Sequence, residues 1–198
     1  MRGGVEIGDE VVLPLSDAPN YRSVFTVRSR DGGETWSAPE VVAEGDGHEF
    51  EEPALLLLKS GRIIMLLRDN LSRILHMVRS EDGGLTWTRP MATGITDYPP
   101  DLVLLADGRI ACIAGRRRPP FGITLCLSED DGESWSAPVF VTSGLPNRDL
   151  GYPSATLRAD GSLYIVWYAQ DSDGVTGIHA GTLPSGFRHL QGEYHGQG

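Results

Sequence analysis

The sequence contains few cysteines and no long run of apolar residues. Its two cysteines, Cys112 and Cys126, both lie in apolar, strand-like segments. We therefore favour buried small side chains for both of them, with a disulfide as the alternative. The N-terminal residues include no apolar segment of signal-peptide length, and no other segment approaches the length that a membrane-spanning helix needs. No sorting signal is visible, so the sequence leaves the compartment open.

Positive charge is also scarce. Of the 198 residues, 17 are lysine or arginine and 27 are aspartate or glutamate, which gives a formal net charge of −10. Because phosphate binding requires clustered lysines and arginines, this balance argues against nucleic acid and against anionic membranes as partners. An anionic ligand would have to be held by a local group of arginines.

Helical periodicity is absent as well, whereas residues that form turns are abundant. The sequence has 25 glycines and 13 prolines, which is typical of a fold built from many short strands and tight turns. The chain is long enough for one domain with a sizeable core. We therefore predict an all-β fold.

A nine-residue motif occurs three times, at residues 29–37, 80–88 and 128–136. The shared frame is Ser-x-Asp-x-Gly-x-Thr/Ser-Trp, and the first serines are spaced 51 and then 48 residues apart. The Asp and Gly residues favour a turn, and the Trp suits packing between neighbouring sheets. A calcium loop is the weaker alternative, because it needs a longer series of spaced carboxylates. We predict a structural role for Ser29, Asp31, Gly33, Trp36, Ser80, Asp82, Gly84, Trp87, Ser128, Asp130, Gly132 and Trp135.

Strand-like apolar runs recur with the same period as this motif. Units of about 50 residues with four antiparallel strands are typical of β-propeller blades. A β-sandwich is the alternative, but it does not explain the periodic turns. We expect three and a half to four blades, because the first unit lacks its beginning and the last lacks the motif. The predicted blades span residues 5–45, 50–95, 98–145 and 151–183, all within a propeller portion at 1–183 that an irregular tail at 184–198 follows.

Chemically active side chains occur at fixed distances from the predicted turn glycines. Glu52 and Tyr152 each stand nine residues before a turn glycine, and Arg68 and Tyr168 each stand seven residues after one. In the corresponding part of the third blade, residues 116–118 are three consecutive arginines. Blade geometry places the start of the first strand and the end of the second at one mouth of a propeller. We therefore expect these side chains to converge at that mouth.

The repeated motif resembles the Asp-box repeat of the sialidase (neuraminidase) superfamily, whose enzymes are six-bladed propellers. Residues 52–69 resemble the sialidase blade that carries a glutamate and a substrate-binding arginine. Residues 149–154 resemble the later blade that bears the tyrosine nucleophile, and the likeness covers roughly residues 5–183. The resemblance implies catalytic roles for Glu52 and Tyr152, and substrate contacts from Arg68, from one of Arg116, Arg117 and Arg118, and from Asp149.

This resemblance implies a retaining exo-α-sialidase that acts on a terminal acidic sugar. The substrate carboxylate beside the anomeric carbon would repel a carboxylate nucleophile, whereas a neutral tyrosine deprotonated by a glutamate avoids that repulsion. Arginines would hold the carboxylate through charge-assisted hydrogen bonds. No cofactor is implied. We also expect no metal site, because His48, His76 and His179 lack metal-ligand spacing.

Each assigned residue has a structural alternative. Glu52 could form a solvated loop pair with Glu51, Tyr152 could be a packing aromatic, and Arg68 could pair with Asp69. The three arginines at 116–118 could form a solvated turn. Pro153 follows the tyrosine where well-known bacterial sialidases have serine.

The resemblance also leaves two catalytic groups unassigned. The family's acid/base aspartate and its first arginine belong to early blades, and no residue before Ser29 matches them. We therefore expect the C-terminal part of a larger propeller, inactive by itself, whose partners are the missing N-terminal blades and a carbohydrate. The alternatives are a non-catalytic propeller that binds glycan or protein, and a glycosidase or lyase of another sugar specificity.

Overall fold

In the computed structural model, which describes residues 3–45 and 47–187, every regular element is a β-strand. These described residues contain no helix with the length and apolar character that crossing a bilayer requires. The chain divides into two compact units, residues 1–94 and 95–198, and each contains two antiparallel sheets. The predicted all-β fold of four-stranded propeller blades is confirmed. Residues 188–198 of the predicted tail lie outside the described residues.

The first unit contains two four-stranded sheets whose strands follow chain order. The first sheet consists of β1 (Val5–Ile7), β2 (Glu10–Ser16), β3 (Ser23–Ser29) and β4 (Glu40–Glu44). The second consists of β5 (Phe50–Leu57), β6 (Ile63–Asp69), β7 (Leu75–Ser80) and β8 (Met91–Ala92).

The expectation that the first blade lacks its beginning is wrong. The three-residue strand β1 pairs antiparallel with β2, so that Val5 lies opposite Val12 and Ile7 opposite Glu10. The strand is short and only partly buried, and Gly3, Gly4 and Gly8 surround it. Three residues flanked by glycines give too little alternation of apolar and polar residues to indicate a strand.

The second unit contains one four-stranded and one three-stranded sheet. The four-stranded sheet consists of β9 (Pro100–Leu104), β10 (Ile110–Arg116), β11 (Gly122–Ser128) and β12 (Val139–Ser143). The three-stranded sheet consists of β13 (Leu150–Leu157), β14 (Leu163–Gln170) and β15 (Thr176–Leu183). Within the described part of the chain, β15 pairs with β14 alone.

Each unit has its own hydrophobic core between its two sheets. In the first unit, Val12 and Val24 from one sheet pack with Phe50, Met65 and others from the next. In the second, residues of β10 and β11 pack with Leu150, Leu163 and Ile165. The inner strands read as nearly continuous apolar runs, and burial of these runs is the main force that stabilises the blades.

Both cysteines are buried free thiols, which confirms the favoured interpretation. Cys112 on β10 lies directly opposite Cys126 on β11 in the register of the two strands. Burial raises the pKa of Cys126 to about 12. A thiol with that pKa is unreactive at neutral pH.

The three repeated motifs, at residues 29–37, 80–88 and 128–136 and called boxes from here on, form the same closed turn. In the second copy, the Ser80 hydroxyl donates to Asp82 Oδ1 at 2.8 Å and accepts from the Gly84 N–H at 2.7 Å. The Thr86 N–H and hydroxyl both donate to the Asp82 carboxylate, at 2.9 and 2.6 Å. Gly84 has φ of +80°, a conformation that favours glycine. This network explains why the frame requires Ser, Asp, Gly and Thr or Ser at fixed spacing.

The same network shifts the acidity of the box aspartates. A hydrogen bond from the Thr86 hydroxyl, helped by the Thr86 N–H, lowers the pKa of Asp82. The pKa values of Asp31 and Asp130 are lowered for the same reason, through Thr35 and Ser134. These carboxylates therefore accept hydrogen bonds in their ionised form.

The box tryptophans differ from one another in their packing. Each of Trp36 and Trp87 donates its indole N–H to the carbonyl of its own box glycine, at 3.0 and 3.2 Å. Trp87 packs against the core of the first unit, as predicted. Trp36 is 40% exposed, and its ring lies beside its own box glycine, since a Cβ on Gly33 would come within 3.4 Å of it.

Candidate functional site

Glu52 stands on a backbone bulge at the start of β5. The register between β5 and β6 shifts between Glu51 and Ala54, and Glu52 has φ of +49°. Left-handed backbone is uncommon for a residue with a side chain and is concentrated at functional sites. The Glu52 N–H donates to the Ser16 hydroxyl at 3.1 Å, which ties the bulge to the neighbouring sheet of the same unit.

Arg68 lies between two carboxylates. Its Nη1 donates to Glu52 Oε2 at 2.8 Å and lies 3.3 Å from Glu51 Oε1. All three side chains are largely buried, with exposed fractions of 19% for Arg68, 10% for Glu51 and 18% for Glu52. The structure therefore brings Glu52 and Arg68 together as the sequence predicted, and it adds Glu51. The three groups carry a formal charge of −1 between them.

Tyr152 occupies the matching position in the last sheet. The register between β13 and β14 shifts between Gly151 and Ser154, and Tyr152 has φ of +47°. The residue is 49% exposed, and its ring stacks against the Tyr168 ring, with centroids 6.0 Å apart. Two blades thus present a side chain from the same left-handed bulge, Glu52 in one unit and Tyr152 in the other.

Arg117 is the arginine that reaches Tyr152. Its guanidinium carbon lies 5.4 Å from the centre of the Tyr152 ring. Its Nη2 donates to the Tyr168 hydroxyl at 3.1 Å, and its Nε donates to the Leu150 carbonyl at 2.9 Å. A Cβ on Gly151, whose φ is +130°, would come within 3.2 Å of this guanidinium. The glycine therefore leaves the space in which Arg117 packs.

The two flanking arginines contact a different group. Asp97 is 2% exposed, and its Oδ1 lies 2.7 Å from Arg118 Nη1 and 3.5 Å from Arg116 Nη1. Arg118 also donates to Thr96, and the guanidinium of Arg116 lies over the Phe140 ring. Sequence reasoning left open which arginine of the run faces the tyrosine, and it missed Asp97, the carboxylate that lies beside the other two.

Asp149 forms backbone hydrogen bonds in the turn before β13. Its carbonyl accepts from the Gln170 N–H at 2.8 Å, and its own N–H donates to the Asn147 side chain at 2.7 Å. The residue is exposed. These contacts shape the turn that leads into β13, two residues before the Gly151–Tyr152 bulge.

A separate polar cluster lies beside Arg68 in the first unit. His48 Nδ1 is 2.8 Å from Asp69 Oδ2, and His76 Nδ1 is 4.0 Å from the same oxygen. Burial alone would raise the pKa of Asp69, but hydrogen bonds from Ser72, Glu49, His48 and Leu71 outweigh it and lower that pKa. Burial lowers the pKa of His76. Spacing in the sequence gave no signal for this cluster, because strand pairing joins its three segments.

Comparison with known proteins identifies the repeat. A family model described as a BNR repeat-like domain matches residues 9–165. Comparison with curated protein sequences found no match. The fold is similar to that of a protein of unknown function from Dyadobacter fermentans, with 26% identity and a TM-score of 0.76. That match covers 87% of this chain and 49% of the other, so this chain spans about half the length of that protein.

Two enzymes on propeller scaffolds share the fold at lower identity. The NanB sialidase of Streptococcus pneumoniae matches with 18% identity and a TM-score of 0.64, over 89% of this chain and 29% of the enzyme. An ulvan lyase of polysaccharide lyase family PL25 matches with 13% identity and a TM-score of 0.65, over 88% of this chain and 46% of the enzyme. At these identities the likeness shows the fold alone.

Proposed function

Because this chain belongs to the BNR repeat-like domain family, we propose that it is part of a propeller enzyme that hydrolyses a terminal acidic sugar in the manner of an exo-α-sialidase. The resemblance of its boxes and of the Glu52, Arg68 and Tyr152 segments to sialidases supports the reaction type. The similarity of its fold to carbohydrate-processing enzymes supports the substrate class.

The observation that carries the proposal is the position of Arg117 beside an exposed tyrosine. Arg117 has no carboxylate partner among the described residues, since its contacts are a backbone carbonyl and two tyrosines. Its positive charge is therefore available to a substrate carboxylate, through the charge-assisted hydrogen bonds that arginine makes with such groups. The same cation stabilises the phenolate that a tyrosine nucleophile forms as it attacks.

We assign the steps to individual side chains as follows. The Tyr152 oxygen attacks the anomeric carbon, and its phenolic proton passes to a general base, the role that the resemblance to sialidases gives to Glu52. The bond to the departing alcohol breaks, and that alcohol takes a proton from the aspartate that the resemblance places in an earlier blade. Arg117 holds the sugar carboxylate. Arg68 is a positioning residue, since its contacts with Glu51 and Glu52 hold the Glu52 side chain in place.

This assignment revises the clamp that the sequence implied. Arg118 is paired with Asp97 at 2.7 Å, and Arg116 lies 3.5 Å from the same oxygen, whereas Arg68 lies between two glutamates. An arginine that already lies beside a carboxylate attracts a further carboxylate less strongly than one that does not. Arg117 is therefore the arginine of choice for the substrate.

The test uses the complete protein that contains these blades and a fluorogenic sialoside. We expect Tyr152→Phe to abolish turnover and Glu52→Gln to lower kcat by about 10²–10⁴-fold. Arg117→Gln is expected to raise KM. Tyr164→Phe is the matched control, because Tyr164 lies on β14, outside the Tyr152 cluster, against Arg158. Full turnover by the Tyr152→Phe variant would eliminate the nucleophile assignment.

A lyase that acts on a uronate is the second candidate. The uncompensated charge of Arg117 beside Tyr152 and Tyr168 would also hold a uronate carboxylate next to a base for its α-proton. In that case acidic polysaccharide, rather than the sialoside, is consumed, and an unsaturated product absorbs in the ultraviolet. Binding of either glycan without turnover in the wild-type protein would instead favour a non-catalytic propeller.

A further inference from the structure

We propose that His48, Asp69 and His76 form a binding site for a divalent transition-metal ion of the zinc class. The ligand atoms that the three side chains offer all lie within 4.8 Å of one another. Two imidazole nitrogens and one carboxylate oxygen are a set that zinc takes in proteins, with a fourth position left for water. This inference departs from the sequence-based expectation of no metal site, which considered only spacing along the chain.

The Asp69 carboxylate is the centre of the group. Its Oδ2 lies 2.8 Å from His48 Nδ1 and 4.0 Å from His76 Nδ1. Zinc bonds to nitrogen and oxygen are about 2.0–2.2 Å long, so two ligand atoms on one ion stand at most about 4 Å apart. One side chain must therefore move by less than about 1 Å when the ion binds. His48 has room to do so, because it precedes β5 and its side chain is 36% exposed.

Two of the three side chains in this cluster are buried, unlike those of ordinary surface histidines. The side-chain exposure is 0% for Asp69 and 7% for His76. A buried carboxylate is costly unless its charge is compensated. Backbone N–H groups of Glu49 and Leu71 hold Oδ1, and the Ser72 N–H donates to Oδ2 at 3.3 Å, on the side that faces the two histidines. A metal cation bound to Oδ2 would neutralise the negative charge of the Asp69 carboxylate. Two imidazoles disfavour calcium and magnesium, which prefer oxygen ligands, and they favour zinc.

The ion would join three strand ends. His48 precedes β5, Asp69 ends β6 and His76 is the second residue of β7. Phe50 pairs with Asp69 and Glu51 pairs with Arg68 in adjacent register positions. Bound metal would therefore fix the strand ends that carry Glu51, Glu52 and Arg68. The inference concerns metal binding alone, and it stands whether or not the proposed hydrolase activity is correct.

The experiment is a titration of the chelator-stripped full chain with Zn²⁺ by calorimetry, with Co²⁺ as a spectroscopic probe. We expect one saturable site per chain and a visible Co²⁺ absorption typical of a low-coordinate nitrogen and oxygen site. His48→Gln and His76→Gln should each weaken Zn²⁺ binding by at least about tenfold, since even residues behind the ligands cost that much.

The other histidines supply matched controls. His179→Gln removes an imidazole from β15, and the double substitution His189→Gln with His195→Gln removes two from outside the described residues. Both controls are expected to bind Zn²⁺ as the wild type does. Wild-type affinity in the His48→Gln variant, or the absence of saturable binding to the wild type, would overturn the proposal.

A measurement of thermal unfolding covers the case in which a variant folds poorly. Zn²⁺ is expected to raise the Tm of the wild type and of both controls, because a ligand that binds the folded state stabilises it. The same Zn²⁺ concentration should leave the Tm of the His48→Gln variant unchanged. An equal rise in that variant would place the metal elsewhere and contradict the proposal.

Discussion

At the scale of single residues, three serines hold the box turns closed. Ser29, Ser80 and Ser128 are each at most 2% exposed. Each hydroxyl donates to the box aspartate and accepts from the N–H of the box glycine. One small, buried polar group thereby satisfies two partners in each turn.

Replacement of Ser80 by alanine is expected to destabilise the protein by about 1–3 kcal/mol, the typical cost of leaving buried polar groups without a partner. The buried Gly84 N–H loses its acceptor, whereas Asp82 Oδ1 keeps the N–H groups of Leu85 and Thr86. Chemical denaturation monitored by tryptophan fluorescence measures the change. Ser60→Ala, at an exposed turn position, is the control and should stay within about 0.5 kcal/mol of the wild type.

The three consecutive arginines at 116–118 show a limit of predicting the roles of single residues from sequence. The turn spacing placed Glu52, Arg68 and Tyr152 at strand ends, because blades repeat with a fixed register, although the strands extend further than the apolar runs and include these residues. It could not choose among residues 116–118, because that choice depends on Asp97, a buried carboxylate that precedes β9. The His48, Asp69 and His76 cluster was invisible for the same reason, since its members meet only through strand pairing.

At the scale of elements, β15 is the most exposed strand of the second unit. It pairs with β14 along its whole length, and within the described residues no strand covers its outer edge. Ile178 is 79% exposed, and Val175, just before the strand, is 62% exposed. An unpaired edge with apolar side chains is a template for pairing with another chain.

Ile178→Lys is therefore expected to reduce self-association of the chain, because a charge on an edge strand opposes strand pairing. Sedimentation velocity over a range of concentrations measures the effect. Leu85→Lys, which changes a leucine that is 63% exposed in a box turn, should leave association unchanged. An equal decrease in both variants would assign the association to general hydrophobicity and contradict the edge explanation.

The strands themselves were largely predictable, whereas their ends were not. Apolar runs separated by Gly turns located the inner strands of every sheet. The bulges at Glu52 and Tyr152 left no mark in the sequence beyond the proline that follows each one. Strand β1 was missed because three residues are too few to show a period. Strand ends depend on pairing with neighbours, which a local pattern does not contain.

At the scale of the whole molecule, ionised aspartates are repeated in both units. The pKa values of Asp31, Asp82 and Asp130 are lowered by hydroxyl and backbone hydrogen bonds. Each group thus has a lower pKa when folded than when unfolded. Its contribution to stability is fully present above the ordinary aspartate pKa and is lost as the pH falls toward the folded value. The box turns therefore link the stability of the chain to pH.

We expect the Tm of the chain to fall steeply between about pH 5 and about pH 2. Asp82→Asn should lower the Tm at neutral pH and flatten this acid dependence, because one titrating box group is gone. Asp173→Asn, in the exposed turn before β15, should reproduce the wild-type curve. Scanning calorimetry across the pH series is the measurement, and parallel curves for the wild type and Asp82→Asn would contradict the linkage.

The shared left-handed bulge has a consequence for how such a chain can diversify. Two blades hold different functional groups, a carboxylate and a phenol, on the same backbone conformation, with φ of +49° and +47°. The same register shift between the paired strands accompanies this conformation in both blades, so the presented side chain can change while the blade keeps its shape. Duplication of the gene segment for one blade would thus copy a bulge that already presents a side chain. A change of one codon would then replace that side chain in one copy and leave the other copy unchanged.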